Sequence, residues 1–330
     1  MATAPAPSPS PVATVIGKEQ AEQVFARYAT ESFAAEERRD EAAVAALQTG
    51  PLLEASRARY GQLRQGFPVG SETRYAQPVF LLPAERDQPG HPRSFVVLSK
   101  PSWDPGGAET AVHYFVQEAP GGEWKAAAAS WLNDGPTRKP KRDAPYGYAG
   151  FGLRDKEIAP VARDAAGVVT LSPTAGADRE VCGRYEEYMT FTAPDGEPQS
   201  ADFVPGPLTS GIVTAYNRAN ENLDFVRKRY HFEAVGGELP VVRLADGKSL
   251  VTCTFLRTDH WTGTDSAFRY GTGRFKDVDA LLGGGNAWWR DTTVRRSVTV
   301  SFEVPTAGPA EVVGSNSLKA PMISAEGTPR

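Results

Sequence analysis

The chain contains a second copy of itself. Val24, Arg27 and Tyr28 recur as Val181, Arg184 and Tyr185, an offset of 157. Gly50, Pro51, Leu52 and Tyr60 recur as Gly206, Pro207, Leu208 and Tyr216, an offset of 156. Arg74 and Tyr75 recur as Arg229 and Tyr230, and Ser94 opens an apolar run as Ser249 does, both at an offset of 155. Matches that keep their order while drifting by so little mark a duplication. Repeats of about 20–50 residues build solenoids and propellers, whereas a period this long duplicates a whole domain. The boundaries predicted are a tether over residues 1–16, one unit over 17–168, a second over 169–320 and a loose tail over 321–330.

Composition narrows the function classes. With 40% hydrophobic and 23% charged residues the chain can bury a core in each unit, and its net charge of −4 argues against nucleic acid as a partner. No run of 18 apolar residues is present, so no membrane-spanning helix is predicted. Residues 2–14 are almost entirely Ala, Pro, Ser, Thr and Val, with prolines at 5, 7, 9 and 11. Such a stretch reads as an extended, semi-rigid spacer. It fits either a ragged cytoplasmic N-terminus or the spacer left below a membrane anchor once a signal peptide has been removed.

Periodicity orders the elements. Ala21, Val24, Phe25, Tyr28 and Ser32 share one helical face, which predicts a helix over 18–33. A short helix over 40–47 and a third from Gly50-Pro51, with proline in its first turn, come next. Strands are predicted over 73–82, 94–100, 111–118 and 124–131, the last two joined by a turn at Pro120-Gly121-Gly122. Residues 135–151 carry Arg138, Lys139, Lys141 and Arg142 and read as a solvated loop. The second copy opens at Ser172-Pro173, read as N-cap and first helical residue, and repeats the helices. Its strands are predicted over 229–234, 240–244, 249–258, 294–304 and 311–316, interrupted by an insertion over 259–290 that the first copy lacks. Helices followed by a strand meander predict an α+β fold in each unit, with helices on one face of a curved antiparallel sheet.

Through the offsets, Cys182 takes the place of Phe25 and Cys253 that of Leu98, so both are predicted to be buried. They fit either a reduced pair of small apolar residues or a disulfide joining helix to strand. His91, His113, His231 and His260 show no metal-binding spacing, and no cofactor is implied. His231 is expected to face solvent and His113 to lie within the sheet. Asp259-His260-Trp261 with Asp265 is the nearest approach to an acid–base cluster, but no nucleophile accompanies it. Gly283-Gly284-Gly285 precedes a strand, the reverse of a phosphate loop. Trp288 and Trp289 beside it, together with Trp261, are candidate binding anchors. Tyr28, Tyr60, Tyr185 and Tyr216 are equivalent pairs on the helices and candidate ligand contacts.

Arg27-Tyr28 at the end of the first helix, the Thr49-Gly50-Pro51-Leu52 helix start, and residues 203–208 (FVPGPL) give the double unit its family likeness. It resembles actinobacterial lipoproteins of unknown function that carry two tandem cone-shaped SnoaL-like domains (nuclear transport factor two-like, cystatin-like). The resemblance implies an extracytoplasmic protein held by a lipidated cysteine. This chain carries neither that cysteine nor the signal, so anchoring is inferred from the tether. The family has no established activity to carry over; with cones of this kind, each enclosing a pocket, the function expected is that of a non-catalytic protein of the cell envelope, or a secreted one, that binds a small apolar ligand or an envelope protein. The alternative, by analogy of fold alone, is an enzyme of the SnoaL or ketosteroid-isomerase type acting on a small apolar substrate, which would need a buried carboxylate base beside an acidic donor.

Overall fold

A computed structural model describes residues 12–70, 72–102, 109–133, 158–221, 225–270, 275–316 and 320–330. The basic cluster at 138–142 and most of the N-terminal spacer lie outside the described residues. Helix α1 (Lys18–Arg38) buries Ala21, Phe25, Tyr28 and Ala35 along the stripe read from the sequence. It runs five residues past the predicted end and stops at Arg39, which adopts a left-handed backbone (φ 55°). Helix α2 (Glu41–Leu47) is capped by Asp40, whose carboxylate accepts from the Ala43 N–H at 3.0 Å. Helix α3 (Gly50–Arg64) starts with Pro51 in its first turn. In the second half, α4 (Ala175–Met189) and α5 (Ser210–Arg218) match the repeated pattern. Ser172 is not the N-cap of α4; it lies three residues before it, and its hydroxyl donates to Asp178 at 2.6 Å.

The first half supplies strands β1 (Tyr75–Leu81), β2 (Arg93–Pro101), β3 (Glu109–Gln117) and β4 (Lys125–Asn133). The second supplies β5 (Phe191–Ala193), β6 (Val226–Val235), β7 (Val242–Arg243), β8 (Ser249–Gly263), β9 (Trp289–Val304), β10 (Glu311–Ser315) and β11 (Met322–Pro329). These do not form two helix-on-sheet cones. They make a single eleven-stranded antiparallel sheet in the order β1-β2-β3-β4-β10-β9-β8-β6-β5, with β7 added on β8 and β11 on β9.

Two physical reasons account for the difference from the tandem-cone expectation. A four-strand meander leaves its last strand with unpaired N–H and C=O groups, and here the last meander strands of the two halves, β4 and β10, pair with each other. The seam needs a glycine: a Cβ on Gly314 would overlap the Trp131 carbonyl oxygen. Moreover, the sheet faces turned away from α1 and α4 are apolar as well. Leu81, Val96, Val112 and Tyr114 of the first half share one core with Val242, Leu244, Leu250 and Val313 of the second. Within it the Tyr114 hydroxyl meets Thr252 Oγ1 at 2.6 Å, and at another contact between the halves Gln62 Nε2 donates to the Met322 carbonyl at 2.8 Å. The signal was present in the apolar run of residues 95–98 and in residues 111–116, broken only by His113, which mark strands buried on both faces.

Cys182 and Cys253 are disulfide-bonded, tying α4 to β8 with their Cα atoms 5.8 Å apart. Val251, Cys253 and Phe255 face that helix together. The equivalence of Cys253 with Leu98 is one residue out. Val97 faces the helix-side core of the first half while Leu98 packs into the core between the halves. A slip of one residue exchanges the two faces of a strand.

Other boundaries move too. β8 continues through Gly263 and β9 begins at Trp289, so the predicted insertion is strand at both ends and loop only between them; that loop carries helix α6 (Lys276–Leu281). The tail predicted to be loose forms β11 on β9. The last residues of the predicted tether are also packed: Val15 and Ile16 are buried, and the Val15 N–H donates to Pro83 O at 3.1 Å.

Candidate functional site

On the helix-facing side of the second half, the pleat that points Cys253 and Phe255 inward carries on to Arg257, Asp259 and Trp261 of β8. Antiparallel pairing sets Phe232, Tyr230 and Lys228 of β6 opposite these three, and Arg296, Val294 and Thr292 of β9 on their other flank. Helix α5 contributes Tyr216. The loop between β8 and β9 folds back over the end of this face with Phe268, Tyr270 and Phe275.

The centre of the group is a bidentate ion pair. Arg257 donates from Nε to Asp259 Oδ1 at 2.6 Å and from Nη2 to Oδ2 at 2.8 Å, and its Nη1 donates to the Tyr216 hydroxyl at 2.6 Å. The pair is about nine-tenths buried. The same guanidinium lies over the rings of Tyr216 and Tyr230, 5.0 and 5.4 Å from their centroids, and those rings stack at 4.3 Å. Burial, reinforced by Asp259, raises the pKa of Tyr230, so its hydroxyl stays protonated. A second guanidinium approaches from β9: Arg296 Nε lies 3.7 Å from Asp259 Oδ2.

Lys228 is a third cation near Asp259, and Asp277 adds a further negative charge on the Arg296 side. The lysine is only 5% exposed, and its Nζ stands 3.9 Å above the Trp261 ring. Trp261 is itself flanked by Tyr270 at 4.9 Å and Phe275 at 5.1 Å. Among the described residues no acceptor or carboxylate reaches hydrogen-bond or ion-pair distance of that ammonium. Burial lowers the lysine pKa to about 8, opposed by the charge of Asp259.

The residues singled out from sequence fall into distinct groups. Tyr28 is packed against His113 and Phe115, and Tyr60 lies in a small core with Ala35, Val44 and Leu63. Tyr185 is in the second-half core, its hydroxyl donating to Leu208 O at 2.9 Å. These three are side chains that fill cores. Tyr216 and Trp261 come together at the cationic face. Trp289 is buried next to it, in the cluster formed by Val226, Phe268 and Tyr270. Trp288 is 47% exposed, with the Arg269 guanidinium 5.2 Å above it. Asp259 and His260 point to opposite faces of β8; His260 Nδ1 meets Thr293 Oγ1 at 3.0 Å, away from the ion pair. His231 is exposed, and His113 is buried among Phe25, Tyr28 and Tyr75.

Two open surface grooves lie elsewhere: one of about 740 Å³ between α1 and β1, and one of about 810 Å³ between the β1–β2 connection and the start of α4. Among the described residues no group of three His, Cys, Asp or Glu side chains converges as a metal site. No described helix is long and apolar enough to cross a membrane.

Sequence reasoning missed Lys228, Arg257, Arg296 and Tyr230. For Lys228 a signal existed: in residues 226–232 it falls in phase with Val226, Tyr230 and Phe232, the buried positions of an alternating strand.

Residues 12–320 match the family described as Domain of unknown function (DUF8094), and the chain belongs to that family. No curated protein and no solved structure matches it.

Proposed function

We propose that this is a non-catalytic binding protein that works outside the cytoplasm, and that its ligand site is the face formed by Lys228, Arg257, Tyr216 and Trp261. The observation that carries this reading is the Lys228 ammonium, buried against an aromatic wall with no protein acceptor among the described residues. A mostly buried cation that no protein group pairs is a candidate contact for an anionic group of a ligand. The cores of the two halves are filled by side chains, which leaves the cationic face as the better place for a ligand than the interior of either half.

Binding is favoured over catalysis because Asp259, the carboxylate an isomerase-type mechanism would use as base, is held by both a bidentate Arg257 and Arg296. A base held in this way is poorly placed to take a proton. The Cys182–Cys253 disulfide and the Pro/Ala spacer support an oxidising, extracytoplasmic location. Native mass spectrometry of the protein purified from its own host tests the proposal. A bound small molecule retained by the wild type and lost from Lys228→Met is the expected result. A molecule retained equally by both would move the site elsewhere, and a wild type that carries nothing would count against a ligand-binding role.

A further inference from the structure

We propose that the open groove between α1 and β1 is a second ligand site, which takes a free medium- or long-chain fatty acid: the hydrocarbon chain lies against Phe25, Phe80 and Val79, and the carboxylate meets Lys18 and Arg163. This goes beyond the binding role assigned to the second half and does not depend on it.

The shape of the groove limits what can occupy it. α1 lines it from Lys18 to Thr30, and the opposite wall runs from Tyr75 along β1 to Leu82. At 1.5 Å per helical residue that is a length of about 18 Å, so the volume of about 740 Å³ corresponds to a cross-section of about 40 Å². An α-helix measures about 10–12 Å across with its side chains and is too thick to lie in it. β1 is the terminal strand of the sheet, but its free edge is a poor template for a further strand. Gln77 has a left-handed backbone (φ 51°), the register with β2 shifts between Ala76 and Val79, and Pro78 has no N–H to donate. A slender, non-peptide ligand remains.

The groove differs from end to end. The Thr14–Ala84 bridge sets the start of α1 beside the end of β1, and Val169, bridged to both Pro83 and Arg163, brings the turn at 163–168 to the same place. Lys18 and Arg163 therefore stand at this end. The only other charged side chain of the lining is Glu22, one turn further along α1 and 3.8 Å from Lys18 in an exposed pair. Arg163 gives Nη1 to the Gly167 carbonyl at 2.8 Å, and among the described residues no carboxylate pairs with it. Two cations and one anion leave a single net positive charge, which matches one carboxylate.

Towards the other end the lining carries no charge. Phe25 packs between Phe80 and Tyr75, with ring centroids 6.1 and 5.8 Å away, and Ala26 and Ala29 keep the helix side low. Val79 stands 48% exposed on the rim. A methylene chain laid over these groups removes apolar surface from water along its whole length. A narrow groove that is cationic at one end and apolar along the rest fits an amphiphile with one negative charge.

Calorimetric titration of the full, disulfide-intact chain tests this, with decanoate, butyrate, decanol and decyltrimethylammonium as probes below their micellar concentrations. Decanoate should saturate at one equivalent. It should bind at least tenfold more tightly than butyrate, which has the head without the chain, or decyltrimethylammonium, which has the opposite head. Decanol should bind about threefold more weakly than decanoate at low salt, and the gap should close in about 0.5 M NaCl, because exposed charges are screened. Ala29→Trp, which puts an indole into the groove, should abolish decanoate binding. Lys18→Gln combined with Arg163→Gln, both at exposed positions, should bring decanoate down to the level of decanol. Lys228→Met should not change it. Decanoate binding retained in Ala29→Trp, or lost in Lys228→Met, would overturn the assignment to the groove. Decanol or decyltrimethylammonium binding more tightly than decanoate would overturn the carboxylate. Cosedimentation with anionic phospholipid vesicles without binding of free decanoate would make the groove a bilayer contact, and a dimer dissociated by Ala29→Trp, again without decanoate binding, would make its occupant a second copy; either result overturns the proposal. Failure of all four probes also overturns it, and leaves the Lys228 site to be judged by the mass spectrometry described above.

Discussion

Replacing Lys228 by methionine should make the protein more stable and less able to bind, and the size of the effect can be worked out in advance. An unperturbed lysine titrates near 10.5, whereas Lys228 is lowered to about 8 by burial. Holding the charge in the folded state at pH 7 then costs about 3 kcal/mol. Contact with the Trp261 face, 3.9 Å from Nζ, returns up to about 2 kcal/mol. Methionine has a similar length, packs well against aromatic rings and carries no charge, so Lys228→Met should gain ~1–2 kcal/mol at pH 7. The pH dependence provides an internal check. With the folded pKa below the unfolded one, the unfolded chain binds more protons between about pH 8 and pH 10.5. Wild-type stability should therefore rise through that window as this lysine loses its proton, by about 1 to 2.5 kcal/mol between pH 7 and pH 10 according to how much the Trp261 contact returns, on top of whatever other groups contribute. Urea unfolding of both proteins at pH 7 and pH 10 isolates the lysine as the difference between them. A Lys228→Met protein less stable than wild type at pH 7, or one whose stability follows pH in parallel with wild type, would refute the reasoning.

Further predictions rest on other parts of the molecule. His113 is buried among aromatic rings, with its pKa lowered to about 3 by burial; the unfolded histidine protonates first as pH falls below about 6.5, and wild type should lose about 2 kcal/mol more than His113→Leu between pH 8 and pH 5, as measured by denaturant unfolding. Gly314→Ala should cost more than about 3 kcal/mol, because its Cβ would overlap the Trp131 carbonyl at the seam between the halves. Gly61→Ala, in open space within α3, should instead gain about 0.5–1 kcal/mol, and thermal unfolding of the two variants separates local packing from a general intolerance of alanine. Removing the disulfide in Cys182→Ala/Cys253→Ala, which opens a loop with a sequence separation of 71, should cost about 4 kcal/mol, and a thiol assay on denatured, non-reduced wild type should find no free sulfhydryl.

What could be read from the sequence follows from the range of the forces involved. The spacing of Ala21, Phe25 and Tyr28 places α1, because a helix is built from contacts three and four residues apart. The alternation of Val251, Cys253 and Phe255 places that side of β8 inward for the same local reason, and the duplication was visible because ordered matches survive in the chain itself. The pairing of β4 with β10 was not visible, since two strand edges about 180 residues apart leave no mark of their partnership in either sequence. Nor could offsets that drift by single residues keep the phase of a pleat, and so Leu98 was set in the place that Val97 occupies.

The candidate site divides along the same line. Lys228 lies in phase with buried neighbours, so the sequence alone was enough to mark it as an unusual inward lysine. Which groups would surround it depended on register. Tertiary structure alone put Trp261 opposite it on β8, brought Tyr270 and Phe275 over from the loop, and tied Asp259 to Arg257 and Arg296 rather than to the lysine. Local periodicity thus decided which residues point inward. Long-range strand pairing, driven by the burial of unpaired edges and of a second apolar face, decided which of them meet.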